Sequence, residues 1–208
     1  MSDLPKIALI GPGAIGTTIA AALHEVGRTP LLCGRTAHLQ LTLRHEEGEI
    51  VVPGPVLSDP AAISHPFDVV FVAVKVTQVA DCASWLATLC DENTIVCALQ
   101  NGVEQQTQLA PLVNGARVLP SIVWFPAQRE SDASVWLSDS VPQEIVDGFH
   151  RAPADLGTSI LADRQANRPL EWDIRNGVIQ RYGQSHGVPT PISDVLVPLL
   201  AAGSEGPG

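Results

Sequence analysis

Apolar positions change their period along this chain, and the change divides it in two. Residues 7–10 (IALI), 67–74 (FDVVFVAV) and 94–99 (TIVCAL) are short and almost continuously apolar. Strands covered on both faces read this way. Residues 30–33 and 118–123 read as two further strands of the same set. Between them, residues 14–26, 76–90 and 103–112 carry apolar side chains at the helical spacing, with Gly27 placed to cap the first. Residues 36–43 read as a weak helix and 43–52 as a hairpin, ended by Pro53-Gly54-Pro55, and a looser stretch runs to Trp136. Strands separated by helices imply an α/β fold with a doubly wound, mostly parallel sheet.

Beyond Leu137 the strand pattern stops. Ser140-Val141-Pro142-Gln143 is a capping-box pattern that opens a helix. Pro153 opens a second running to Ala166, residues 171–186 form a third bounded by Gly187, and Thr190-Pro191 starts a fourth running to Ala201. Residues 203–208 read as a frayed tail. The expected organisation is therefore an α/β domain at 1–137 and a short all-helical segment at 138–208. The segment is too small for a comfortable core of its own, so it must pack on the first domain, on a second chain, or both.

The first chemistry lies at the end of the first strand. Gly11-Pro12-Gly13-Ala14-Ile15-Gly16 follows IALI and opens a helical pattern. In a strand–turn–helix context this spacing suits a dinucleotide. Gly11 permits the tight turn, Gly13 lets backbone approach the pyrophosphate, Gly16 lets helix and strand pack closely, and the helix N-terminus faces the negative charge. The alternative is a glycine-rich turn with no ligand. At the end of the second strand, where NAD sites place an acid, the chain has Gly34-Arg35-Thr36. A guanidinium suits the 2′-phosphate of NADP, and a carboxylate would repel it. Arg35 therefore points to NADP rather than NAD, the alternative being a solvated surface arginine.

Charge and composition narrow the partners. The formal net charge of −10 argues against a general nucleic-acid binder, so an anionic ligand would need local cations, and the chain has only two lysines, Lys6 and Lys75. No apolar run reaches membrane-spanning length, and no basic leader precedes the first strand, so a cytoplasmic protein without a membrane partner is expected. The four cysteines have no CxxC spacing and no metal site is expected. Lys75 follows strand FDVVFVAV directly, and Gln100-Asn101-Gly102 follows TIVCAL. Both lie at carboxyl ends of buried strands, where open parallel sheets bind ligands. Lys75 as a rim lysine, and Asn101-Gly102 as a plain turn, are the alternatives.

GPGAIG, AVKVTQ and LQNGVEQ, in this order and spacing, resemble the ketopantoate reductases (2-dehydropantoate 2-reductases). The C-terminal stretch GTSILADRQANRPLEWDIRNGVIQRYGQSHGVPTPISDVL is similar to the closing helices of actinobacterial-type members. The resemblance implies a Rossmann-type, NADPH-dependent enzyme of pantothenate biosynthesis that delivers hydride to C2 of a small 2-keto acid. It implies that Gly11, Pro12, Gly13, Ala14, Ile15 and Gly16 line the pyrophosphate and Arg35 the 2′-phosphate. Lys75 and Glu171 would contact the cofactor, Asn101 cofactor and substrate, and Ser159 the substrate. A homodimer through the helical segment would fit. Read without the resemblance, Ser159 is an ordinary helical serine, and Glu171 with Arg175 is a surface i,i+4 pair.

One part of the family pattern is missing. Its general-acid lysine lies in a helix motif at the start of the helical domain, with asparagines that hold the substrate. Here Trp136-Leu137 runs straight into Ser138-Asp139-Ser140. The catalytic residue is therefore unassigned, with Lys75 as the stand-in and Lys6 expected at the wrong end of the sheet. Three readings stand: a shortened enzyme with a rebuilt site, a catalytically impaired or non-catalytic NADPH-binding relative, and an internally deleted reductase. A reductase of another small 2-keto acid is a further alternative.

Overall fold

In a computed structural model, residues 4–123, 125, 127–131, 133–137 and 158–205 are described. The apolar runs form strands β1 (Ile7–Ile10), β2 (Leu31–Cys33), β5 (Val56–Leu57), β6 (Val69–Val72), β7 (Ile95–Leu99) and β8 (Arg117–Ser121). They lie in the order β5-β2-β1-β6-β7-β8, and every neighbouring pair is parallel. Alternate side chains of one strand face opposite layers. Ala8 and Ile10 join one buried cluster with Val70, Val72, Trp85 and Leu86, while Leu9 joins a second with Ala20, Ala21 and Leu32.

The first layer holds α2 (Ala83–Leu89) and α3 (Gln105–Leu109); the second holds α1 (Ala14–Glu25). A second sheet covers the far side of α1, in the order β4-β3-β10-β9, formed by β3 (Gln40–His45), β4 (Gly48–Pro53), β9 (Ala127–Arg129) and β10 (Ser134–Leu137). Small residues make this double burial feasible: Gly16, Thr17, Ala20 and Ala21 of α1 are all buried.

Two expectations are corrected here. Residues 36–43 are not a weak helix. Leu41 and Leu43 point inward and Gln40 and Arg44 outward, the period of a strand, and β3 pairs with both β4 and β10. The looser stretch before Trp136 contains β9 and β10. A third correction is partial: residues 76–90 form two 3₁₀ turns, Val76–Gln78 and Ala80–Cys82, before α2.

Beyond Thr158 the described chain is helical: α4 (Ser159–Gln165), a π turn (Asp173–Gly177), α5 (Val178–His186) and α6 (Pro191–Glu205). The helix expected at 171–186 starts at Asp173 and opens with the π turn, which runs without a break into α5, and α6 runs past the expected frayed start at 203. Gly187 ends α5 in the left-handed region at φ 67°. The capping box at Ser140 and the start at Pro153 lie outside the described residues. Among the described residues, no helix is long and apolar enough to cross a membrane, and no cluster of His, Cys, Asp or Glu could hold a metal.

All four cysteines are free thiols. Burial pushes Cys33 and Cys90 up to about 12 and Cys82 to about 11, from 9.0. Unfolded thiols ionise near 9.0 while the folded ones hold their protons, so this contribution to stability is complete below that value and is lost as pH rises toward 11–12. The urea midpoint should fall between pH 8 and pH 10, and Cys33→Ala should fall less steeply. An equally steep fall in that variant would remove the thiol explanation.

Candidate functional site

β1 ends in a turn at Gly11, whose φ is 89°, in the left-handed region. The Gly11 N–H donates to the Cys33 carbonyl at 2.9 Å, tying the turn to β2. A Cβ at Gly11 would lie 2.5 Å from Val74 Cγ1, just past β6. β1 and β6 are the strands at which the chain's progress across the sheet reverses. Ligands of open parallel sheets bind in the crevice at such a switch point, outside the carboxyl ends of the strands.

The turn delivers the chain into α1 with Gly13 at the N-cap. No side chain caps this helix, and its first turn holds no acid. Its first N–H groups have no intrahelical acceptor, and the helix dipole leaves this end positive. A Cβ at Gly13 would meet nothing within 4 Å, whereas one at Gly16 would lie 2.2 Å from the Gly11 carbonyl oxygen. Gly16 therefore sets how closely helix and turn approach, and Gly13 leaves the space in front of them open. An open, uncapped, acid-free helix start beside a switch point fits a pyrophosphate, with Pro12, Ala14 and Ile15 completing the turn. Arg35 is exposed two residues beyond β2 and makes no hydrogen bond or ion pair with the described residues.

The helical segment closes on the same strand ends. Lys75 Nζ donates to Asp163 Oδ2 of α4, and Arg168 Nε lies 2.9 Å from the other oxygen, Oδ1. The Arg168 contact is a pairing by charge only, since Oδ1 has no aligned hydrogen-bond donor. The Asp163 side chain is only 2% exposed and that of Lys75 37%. Glu171 is buried, and its Oε1 accepts the Val76 N–H at 3.2 Å. Two carboxylates thus hold one short stretch, Lys75 through its side chain and Val76 through its backbone.

A second attachment joins the turn after β7. Gly102, at φ 107°, faces Ile174, whose Cβ would lie 3.3 Å from an added Cβ. Arg181 of α5 donates to Glu104 Oε2 at 2.5 Å and also to Asp173. Asn101 is exposed on that turn. Ser159, also exposed, accepts a hydrogen bond from Arg175 Nη2 at 3.0 Å.

The surface pairing of Glu171 with Arg175 does not form, because each side chain has a different partner. Lys6 lies at the other end of the sheet, lining a cavity of about 630 Å³ with Arg28, Pro55 and Phe67. Asp163 is the residue that sequence reasoning missed. Inside α4 it looks like any polar helical position, and its partner is 88 residues away.

A sequence model of the family described as "Ketopantoate reductase PanE/ApbA" matches residues 7–149. The chain belongs to the ketopantoate reductase family. A 2-dehydropantoate 2-reductase of Mycobacterium tuberculosis (strain H37Rv) is 39% identical, the alignment covering 97% of this chain and 99% of the relative. One from Caulobacter vibrioides is 25% identical over 96% and 99%. Among solved structures, the dimeric ketopantoate reductase of Staphylococcus aureus superposes with a TM-score of 0.80 at 19% identity, covering 98% of this chain and 100% of that one. A D-mandelate dehydrogenase in ternary complex with NADH and anilino(oxo)acetate gives 0.76 at 16%, over 96% and 98%. At these identities the superpositions establish the fold alone.

The chain is short for its alignments. The match to the Mycobacterium tuberculosis relative runs over 291 positions, and the chain has 208 residues. At least 83 aligned positions (291 against 208) therefore fall where this chain has no residue.

Proposed function

We propose that this chain reduces ketopantoate to pantoate with NADPH. What supports this reading is the open, uncapped helix start beside the switch point of the sheet, with Arg35 following β2, Lys75 and Asn101 following β6 and β7, and Glu171 bound to the Val76 N–H. Residues 1–137 hold the cofactor, and 138–208 form the reduced helical domain that closes over the substrate.

Each residue then has one task. Gly11 to Gly16 seat the pyrophosphate, and Arg35 pairs with the 2′-phosphate. When bound, the nicotinamide supplies hydride to C2 of the keto acid. Asn101 orients ribose and substrate through its amide, Ser159 donates to the substrate carboxylate or hydroxyl, and Glu171 fixes the chain beside the cofactor. The alkoxide that develops at C2 needs a positive partner or a proton. Lys75 takes that role, because Lys6 is at the opposite end of the strands. Ile192, Val195 and Leu199 are exposed along one side of α6, and that side is assigned to contact with a second copy.

Fluorescence titration with NADPH and NADH tests the cofactor. A fold neighbour carries NADH, so the fold does not choose between them, and Arg35 must. NADPH should bind at least about tenfold more tightly, as one charge-assisted pair provides, and Arg35→Ser should erase the difference. Equal binding by the parent protein would remove Arg35 from the site. Steady-state turnover tests the enzyme: NADPH binding with no oxidation above background on addition of ketopantoate would leave only a binding protein.

A further inference from the structure

Two glutamines are buried beside this site with no assigned task. Gln100 follows β7, and Gln105 opens α3. They are 5% and 2% exposed. Gln105 Nε2 donates to the carbonyls of Gln100, at 2.9 Å, and of Gly102, at 2.7 Å. These are the residues on either side of Asn101. Gln100 Nε2 donates to the Val74 carbonyl at 2.8 Å, one residue before Lys75. One amide group therefore grips the Asn101 turn from both sides, and a second ties that turn to the strand end bearing Lys75.

The other half of each amide is unused. Gln100 Oε1 and Gln105 Oε1 are buried without a hydrogen-bond partner. The orientation of Gln105 is fixed by its neighbours, since the flipped amide would point its oxygen at two carbonyl oxygens. A leucine or methionine would fill the same space without stranding an acceptor. What glutamine adds at both positions is the N–H donor.

We infer that Gln105, with Gln100 in series, is a positioning residue: it presents Asn101 to cofactor and substrate and sets its spacing from Lys75. The turn needs such a grip. Gly102 sits in the left-handed region, and the Asn101 side chain has no hydrogen bond to the described residues. Left to itself the turn would sample several directions for that amide. Misplacing a positioned group costs rate without removing it.

The inference rests on the role given above to Asn101, and the test separates the two. Gln105→Met, Gln105→Leu, Asn101→Ala and Gln105→Met/Asn101→Ala are compared by thermal melting, by NADPH dissociation constant and by kcat/KM for ketopantoate. Either apolar variant that melts within a few degrees of the parent serves. Gln105→Met should lower kcat/KM by about 10–100-fold in the parent and less than about twofold in the Asn101→Ala background, because residues acting through one another are not additive. Should the chain bind NADPH without turning over, the same non-additivity is expected in the dissociation constant. Equal losses in both backgrounds, with Asn101→Ala itself impaired, overturn the positioning role alone. Parent-like behaviour of Asn101→Ala overturns the Asn101 role, and this inference with it.

Discussion

Gly13→Ala should fold like the parent and lose its hold on NADPH, whereas Gly16→Ala, three residues on, should fail at folding first. The difference lies in what each added methyl would meet. At Gly16 it would lie 2.2 Å from the Gly11 carbonyl oxygen, backbone that cannot step aside without moving the turn. Overpacking of that kind costs about 1–3 kcal/mol, and a rigid backbone neighbour places this case at the upper end. At Gly13 the methyl would meet nothing within 4 Å. The cost there is the poorer N-cap quality of alanine, about 1 kcal/mol. Under the proposed function, the space the methyl enters is the space the pyrophosphate would need. The same overpacking scale, transferred to binding, predicts about a 10–100-fold weaker NADPH complex. Melting curves and fluorescence titration read the two effects separately. Parent-like NADPH binding by Gly13→Ala would move the pyrophosphate elsewhere.

The contrast shows which parts of the site local sequence encodes. Gly11, Gly13 and Gly16 work over a few residues, so spacing alone announced them. FDVVFVAV and TIVCAL announced buried strands because a strand covered on both faces has no polar period to hide. That in turn placed Lys75 and Asn101 at strand ends. β3 was misread because its Leu41 and Leu43 are buried by partners far along the chain, one of them β10. A six-residue alternation is weak evidence without them. Glu171 looked like half of a surface pair because Arg175 stands at the helical spacing. Its real partner, the Val76 N–H, is 95 residues away. Gln100 and Gln105 were legible as residues of a motif, but not as a bracket. Their meaning lies in which carbonyls they reach, and no spacing rule carries that.

Asp163 is the extreme case, and its pairing with Lys75 yields the second large effect. Lys75→Met would strand a carboxylate whose side chain is 2% exposed, leaving Arg168 as its remaining cation among the described residues. Removing one partner of a buried pair typically costs about 3–5 kcal/mol, and the surviving arginine places this loss toward the lower end. Asp163→Asn is the milder change. It leaves no buried charge, and Lys75, with a 37% exposed side chain, can turn to water. Stability should therefore rank parent, Asp163→Asn, Lys75→Met. Activity should follow a different logic. Lys75→Met removes the cation assigned to the alkoxide and should lower kcat/KM by about 100-fold or more. Asp163→Asn keeps that cation but releases its aim, a loss of about 10-fold. The double variant, Lys75→Met with Asp163→Asn, separates the two properties. It should regain stability over Lys75→Met, because the stranded carboxylate is gone, and regain no turnover, because the cation is still missing. Urea midpoints and steady-state rates of the three variants check this directly. No gain in stability would mean that Asp163 is not a buried counter-ion to Lys75. A return of turnover would mean that the helical segment needs only a neutral contact here, and that the group serving the alkoxide lies elsewhere on the chain.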